Sequence, residues 1–296
     1  MTQATTELFT VRDWIRFAVS QFEASDIFYG HGTDNAYDEA VWLIMSALHL
    51  PHETLNNFLD ARILPTERNQ LADFIEQRIT QHTPTAYLLK EAWLQGFKFY
   101  VDERVLIPRS FIAELLSSDL SPWIEFPEMV ESAADICTGS GCLGILLANS
   151  FPNATIDVID ISQDAIDVAN INIKNYGLEE QVTAIKSDMF SALTGKTYDL
   201  IISNPPYVDA PSMATLPQEY RNEPQLALGS GTAGLDHTHT ILREAANYLN
   251  DDGILIVEIG HNRDALLEAY PDVAFTWLEV SSGNQFVFLL TKSQLL

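Results

Sequence analysis

Asn204-Pro205-Pro206-Tyr207 ends an apolar run, Tyr198-Asp199-Leu200-Ile201-Ile202-Ser203, about sixty residues after a glycine-bearing turn that also closes a strand. An amide or exocyclic amino nitrogen delocalises its lone pair into a neighbouring π-system, so it attacks carbon poorly unless acceptors hold its N–H groups in place. The Asn204 side-chain carbonyl is one such acceptor. Pro206 has no N–H, so the Pro205-Pro206 link neither continues a helix nor pairs normally in a sheet, and the Pro205 carbonyl stays free as another. Tyr207 adds an aromatic face for a flat group. These residues point to methyl transfer onto a planar nitrogen. Taken alone, the tetrapeptide also reads as a proline-rich turn after a buried strand; its position downstream of the glycine turn favours the chemical reading.

The turn itself is Asp135-Ile136-Cys137-Thr138-Gly139-Ser140-Gly141-Cys142-Leu143-Gly144. Gly139 and Gly141 remove side chains, so the backbone can bend tightly and a ligand can approach it closely. The spacing Gly139-x-Gly141-x-x-Gly144 formally matches a dinucleotide fingerprint, but the acids around it favour S-adenosylmethionine. Asp135 precedes the turn, where it could receive a positively charged amino group and would repel a pyrophosphate. Asp160, at the end of the next strand, can accept both ribose hydroxyls. Asp188-Met189-Phe190 ends the third strand, with Asp188 placed for the adenine amino group and Phe190 to pack the ring. Each acid alone reads as a helix cap or a solvated loop residue. Together, at three successive strand ends and followed by Asn204 at the fourth, they line one crevice.

The elements that must position these residues follow from periodicity. From residue 133 onward, apolar strands alternate with helical stretches. Strands are expected at Ala133–Cys137, Thr155–Ile159, Val182–Lys186, Leu200–Ser203, Gly253–Glu258, Phe275–Glu279 and Gln285–Thr291, with helices at Leu143–Ser150, Asp164–Tyr176, Thr238–Leu249 and Arg263–Tyr270. This is a doubly wound α/β pattern, mostly parallel and covered on both faces. Only Val280-Ser281-Ser282-Gly283-Asn284 separates the last two strands, too little for a helical crossover, so they should pair antiparallel. Residues 8 to 92 read as helices, with Asp34 as the cap of the second and Pro51 near its end. No catalytic cluster falls there, which makes 1–92 a helical accessory domain. Residues 93–110 read as a β-hairpin linker turning at Asp102-Glu103, and 111–296 as the catalytic domain.

Composition narrows the class. There are 41 acidic and 16 basic residues, a formal net charge of −25, and no lysine or arginine between Ser110 and Ile173. Binding to a phosphate backbone draws on lysine and arginine, so direct nucleic-acid contact is not expected and a basic protein partner fits better. No apolar run approaches the roughly 20 residues of a membrane helix, and the N-terminus lacks a signal peptide's basic start; a soluble, cytoplasmic protein is expected. Cys137 and Cys142 flank the glycine turn, where a disulfide would strain the loop, so both should be thiols. The one close histidine pair, His237 and His239, has no further ligand at metal spacing, and no metal is expected. Nothing demands more than a monomer.

The two motifs together resemble the Class I S-adenosylmethionine-dependent methyltransferases with an Asn-Pro-Pro-Tyr active site, and within them the protein glutamine-N(5) methyltransferases. Tyr29-Gly30-His31-Gly32-Thr33-Asp34-Asn35, Pro84-Thr85-Ala86-Tyr87 and Phe99 through Ser110 resemble the branch acting on ribosomal large-subunit protein L three. Arg109-Ser110-Phe111-Ile112 stands where the release-factor branch carries Arg-Pro-Glu-Thr. The resemblance implies a Rossmann-like, seven-stranded Class I sheet and S-adenosylmethionine as cofactor, contacted by Asp135, Cys137, Thr138, Gly139, Ser140, Gly141, Asp160, Asp188, Met189, Phe190 and Asn204. It further implies that Asn204, Pro205, Pro206 and Tyr207 hold the glutamine, that the helical domain recognises a basic ribosomal protein, and that Glu223-Pro224, Ala227-Leu228 and Gly231 support the segment closing over it. The residue at Cys137 is more often glycine in that family. Other readings are a release-factor glutamine methyltransferase, an adenine-N6 methyltransferase of nucleic acid, which would need a cationic groove, an acidic chaperone for a basic ribosomal protein, or a nicotinamide dehydrogenase, for which no hydride-transfer constellation is present.

Overall fold

The computed structural model describes residues 1–295. Contacts group them into two compact units, Met1–Ala92 together with Pro217–Glu223, and Trp93–Leu216 together with the chain from Pro224 onward.

The helical unit is built on Val11–Glu23, Ala36–Ala47 and Pro65–Thr80. In the first of these, Val11, Trp14, Ile15, Ala18 and Phe22 fall on one face at helical spacing and all are buried. Thr10 and Asp13 close its N-terminus reciprocally: the Thr10 hydroxyl accepts from the Asp13 N–H, and the Asp13 carboxylate accepts from the Thr10 N–H. The second helix is capped by Asn35, whose Oδ1 accepts from the Asp38 N–H at 2.9 Å; Asp34, the expected cap, instead accepts from the Asn35 side-chain amide at 2.6 Å. Both residue types cap well, and the extended backbone of Asn35 places its side chain over the first turn.

The same unit buries a charged cluster. Arg78 is 1% exposed, and its guanidinium pairs with Glu39, with Glu219 at 3.0 Å and with the Phe28 carbonyl at 2.9 Å. Glu219 also accepts from the Phe28 N–H and meets His82 at 3.0 Å, while Thr33 and Thr85 donate to Glu39. Because Glu219 belongs to the segment Pro217–Glu223, this cluster ties that distant stretch of chain into the helical unit.

A two-stranded hairpin follows, β1 (Ala92–Leu94) and β2 (Phe97–Phe99). Its turn is Gln95-Gly96, not Asp102-Glu103. Both turn residues have positive φ, 49° and 79°, which suits the twist of a two-residue hairpin. Asp102 is instead occupied by Arg104 at 2.7 Å and by the Tyr100 hydroxyl at 2.8 Å, and residues 100–111 form no strand.

The larger unit holds the seven-stranded sheet: β3 (Ser132–Ile136), β4 (Thr155–Asp160), β5 (Val182–Lys186), β6 (Tyr198–Ser203), β7 (Leu249–Glu258), β8 (Thr276–Trp277) and β9 (Val287–Thr291). Their order is β5-β4-β3-β6-β7-β9-β8. The first five run parallel, and β9 is antiparallel to both β7 and β8, as the short loop before it requires. Alternate side chains fill two cores: Leu200 and Ile202 of β6 pack on one face, Ile201 on the other. The chain leaves β3 toward β4 and β5, then returns to β6 on the opposite side of β3. That reversal opens a crevice at the carboxyl ends of β3 and β6, where the glycine turn and Asn204 both lie. Among the described residues no helix is long and apolar enough to cross a membrane.

Candidate active site

A cleft opens at these strand ends, the place where open α/β sheets take their ligands. Cys137, Thr138, Gly139, Ser140, Asp160, Asp188, Met189, Asn204 and Pro206 all line it. Of the remaining sequence candidates, Asp135, Gly141, Phe190, Pro205 and Tyr207 lie outside its wall.

Asn204 is half-buried, and its orientation is fixed. Its Nδ2 donates to the Arg109 carbonyl at 3.1 Å, which turns Oδ1 the other way; that oxygen is buried and has no hydrogen-bond partner among the described residues. Ser140, another residue of the cleft, has a buried Oγ that is likewise unpartnered. Buried polar atoms are seldom left unpaired, so these two mark where a ligand's donors fit. A Cβ built on Gly139 would meet no atom within 4 Å, so the turn leaves open space at the cleft.

Asp135 is fully buried behind the turn. Its Oδ2 accepts from the Thr138 hydroxyl and from the Gly144 N–H at 3.1 Å, while Oδ1 has no hydrogen-bond partner among the described residues. It staples the turn to the following helix, Cys142–Ser150, rather than standing on the cleft wall. Gly144 permits that closeness, because a Cβ there would collide with Val158 of β4. Gly141 is the N-cap of the same helix. Asp160 is on the wall, its two oxygens accepting from the Gly139 and Ser162 N–H groups at 3.0 and 2.9 Å, each with a lone pair to spare. Burial raises its carboxyl above the usual range against the pull of those amides.

Phe190 does not pack into the cleft. Met189 has a positive φ of 47°, and Ser187 Oγ donates to the Met189 carbonyl while accepting from the Ala192 N–H. This tight turn presents Met189 to the cleft and sends the Phe190 ring into the core, where it stacks on Tyr248 with centroids 4.8 Å apart. Cys137 also has a positive φ, 62°, a conformation that glycine takes at less cost. Its thiol is pushed far up by burial and then by Asp160 and Asp135, and burial drives Cys142 up to about 12, so both are protonated thiols.

Tyr207 lies behind the cleft. Its ring packs against Gly260, its carbonyl accepts from Asn262 Nδ2 at 2.7 Å, and its hydroxyl reaches Glu258 Oε1 at 3.4 Å. Sequence reasoning missed Glu258, and it also missed Arg109, Ser110 and His237 on the cleft. Glu258 ends a strand that reads as ordinary buried β, and its only signal is an acid at the end of an apolar run. His237 lies at the start of a helix, held by Ser230 Oγ at 2.7 Å; burial lowers it, against Asp236, Asp188 and the Pro206 carbonyl, so its ring is neutral near pH 7.

Two of these acids make stability depend on pH. Burial pushes Asp135 up to about 7, outweighing the Thr138 and Gly144 bonds, and pushes Glu258 up to about 7 against its own donors. Such a carboxyl keeps its proton in the native state where the unfolded chain has lost it. Its contribution is therefore full below the unfolded value and declines as pH rises to about 7. Urea unfolding of Asp135→Asn beside the unaltered protein is expected to show the variant gaining a few kcal/mol between about pH 4 and pH 7. A difference independent of pH would contradict an enclosed, protonated Asp135.

The strand order, the glycine turn after β3 and the Asn-Pro-Pro-Tyr end of β6 define a Class I methyltransferase. A profile of the methyltransferase small domain matches residues 114–218. The ribosomal protein uL3 glutamine methyltransferase of Neisseria gonorrhoeae is 58% identical over 294 residues, covering 99% of this chain and 98% of the relative. That of Bordetella pertussis is 51% identical over 289 residues, covering 98% and 97%. This chain belongs to the family of ribosomal protein uL3 glutamine methyltransferases. Among solved structures, the hMettl16 catalytic domain in complex with MAT2A 3'UTR hairpin 6 has a TM-score of 0.51 at 14% identity, covering 76% of this chain and 80% of that one. That likeness concerns the fold alone.

Proposed function

We propose that the protein transfers a methyl group from S-adenosylmethionine to the side-chain amide nitrogen of a glutamine in ribosomal protein uL3. Family membership supports the substrate and reaction, and the observation that carries the chemistry is the buried, unpartnered Oδ1 of Asn204, a residue that lines the cleft. S-adenosylmethionine would supply an electrophilic methyl group. Asp160 would hold its ribose hydroxyls, Asp188 its adenine amino group, and Ser140 and the backbone at Gly139 its methionine end.

In this reading, one N–H of the glutamine amide donates to Asn204 Oδ1 and the other to the carbonyl of Pro205, which stands between two residues of the cleft wall, Asn204 and Pro206, without lining it itself. Holding both hydrogens fixes the plane of the amide and stabilises the positive charge that grows on nitrogen as its lone pair leaves conjugation. No strong base is needed beforehand, because the methylated nitrogen is acidic enough to lose its proton to water or to a carbonyl. Orientation can lower the barrier by roughly 7–11 kcal/mol, and the two acceptors add a few more. Tyr207 backs the tetrapeptide. The helical unit takes the part of recognising the substrate, and a net charge of −25 suits a basic ribosomal protein acting without direct nucleic-acid contact.

Incubation of purified protein with tritiated-methyl S-adenosylmethionine and unmodified uL3 is the test. Label is expected on uL3, with mass spectrometry placing one methyl group on a glutamine side chain. An unlabelled uL3, or label on another residue type, would overturn the assignment.

A further inference from the structure

Ser203 of β6 pairs with Val257 of β7, so Glu258 lies abreast of Asn204 on the neighbouring strand. Its side chain is buried, 2% exposed, and one oxygen accepts from the Ser110 hydroxyl at 2.6 Å and the Phe111 N–H at 2.9 Å. The other oxygen faces the Tyr207 hydroxyl. Glu258 thus grips the chain immediately after Arg109 and the last residue of the tetrapeptide.

The residue just before the first grip matters, because the Arg109 carbonyl is what receives Asn204 Nδ2. An asparagine amide is nearly symmetrical in shape but opposite in hydrogen-bonding character at its two ends. If Arg109 moves, Asn204 Nδ2 loses the hydrogen bond that fixes it, and a flip would present N–H groups to the cleft in place of Oδ1. A donor there repels the substrate's own N–H. From this chain of contacts, and resting on the reading of Asn204 given above, we infer that Glu258 is a positioning residue: it holds Ser110 and Phe111 so that the Arg109 carbonyl keeps the Asn204 acceptor turned toward the substrate amide. A carboxyl this deep is costly to bury, and a plain helix cap for Ile112–Leu116 would not require it to reach Tyr207 as well.

Steady-state kinetics on uL3 distinguish the two roles. Glu258→Ala is expected to lower kcat by about tenfold to a hundredfold, with KM for S-adenosylmethionine within about threefold, because misplacement of a reacting group costs rate more than binding. Glu258→Gln keeps an oxygen acceptor for Ser110 and Phe111 and is expected to restore kcat to within about threefold. Ser110→Ala removes one of the two bonds of that link, leaving the Phe111 N–H on Glu258, and is expected to cost kcat about threefold to tenfold. A soluble Glu258→Ala enzyme with unaltered kcat, or a Glu258→Gln enzyme as impaired as Glu258→Ala, overturns the inference. Where Glu258→Ala does not fold, Ser110→Ala at full kcat overturns it alone. Failure of the unaltered protein to methylate uL3 would instead remove the proposed function, which separates the two outcomes.

Discussion

Asn204→Ala is expected to reduce turnover on uL3 by about a hundredfold to a thousandfold, the scale found when a single preorganised acceptor or donor is removed from a reacting centre. The expectation rests on geometry, since Oδ1 is a buried side-chain acceptor without a hydrogen-bond partner among the described residues, on a residue that lines the cleft. Cofactor affinity should hardly change, because the acids at the ends of β4 and β5 are untouched. Asn204→Asp keeps an oxygen at the same place but loses the Nδ2 donor to Arg109, so its turnover should fall between the two. Initial rates at saturating uL3, with calorimetric titration of S-adenosylmethionine, check both. An Asn204→Ala enzyme with normal turnover would discard the acceptor role.

Arg78→Met should cost the fold about 3–5 kcal/mol, because it strands two buried carboxylates, Glu39 and Glu219, without their counter-charge. Burial works against charging Arg78, but Glu39 and Glu219 outweigh it and hold its pKa raised. Glu219 is lowered despite its burial, through the Phe28 N–H, His82 and Arg78. Its stabilisation is present above the usual carboxylate range and is lost as pH falls through its lowered value, so the penalty of Arg78→Met should shrink in acid. The control is Arg12, whose pair with Asp60 has side chains 59% and 83% exposed; Arg12→Met should change stability by about 1 kcal/mol or less. Urea midpoints measure both, and equal effects from the two variants would show that burial of the Arg78 cluster carries no special cost.

The sheet was legible because parallel, doubly covered strands write themselves as continuous apolar runs, and the connection before β9, read as five residues and found as 278–286, is too short for a helical crossover. Local turn chemistry was harder to read. Gln95-Gly96 and Asp102-Glu103 are both plausible turns, and positive φ at a glutamine leaves no mark in a sequence. At the site, acids at strand ends announced the crevice, but which side chain after a strand faces it depends on one or two dihedrals; Met189 lines the cleft as expected, whereas Phe190 turns into the core for that reason. Glu258 and Arg109 escaped notice because their partners come from segments far apart in the chain, and no spacing rule links residue 258 to residue 110. The Arg78 cluster was hidden similarly, since Glu219 lies 141 positions from its arginine.

That last separation bears on how the protein can be taken apart. Cutting the gene before Trp93 would not yield a clean catalytic fragment, because Pro217–Glu223 would stay behind with Glu219 and Glu223 stripped of Arg78, His82 and His31. A chimaera that exchanges the helical part for that of another methyltransferase would have to transplant the heptapeptide along with it, which makes the helical unit a cassette written in two places.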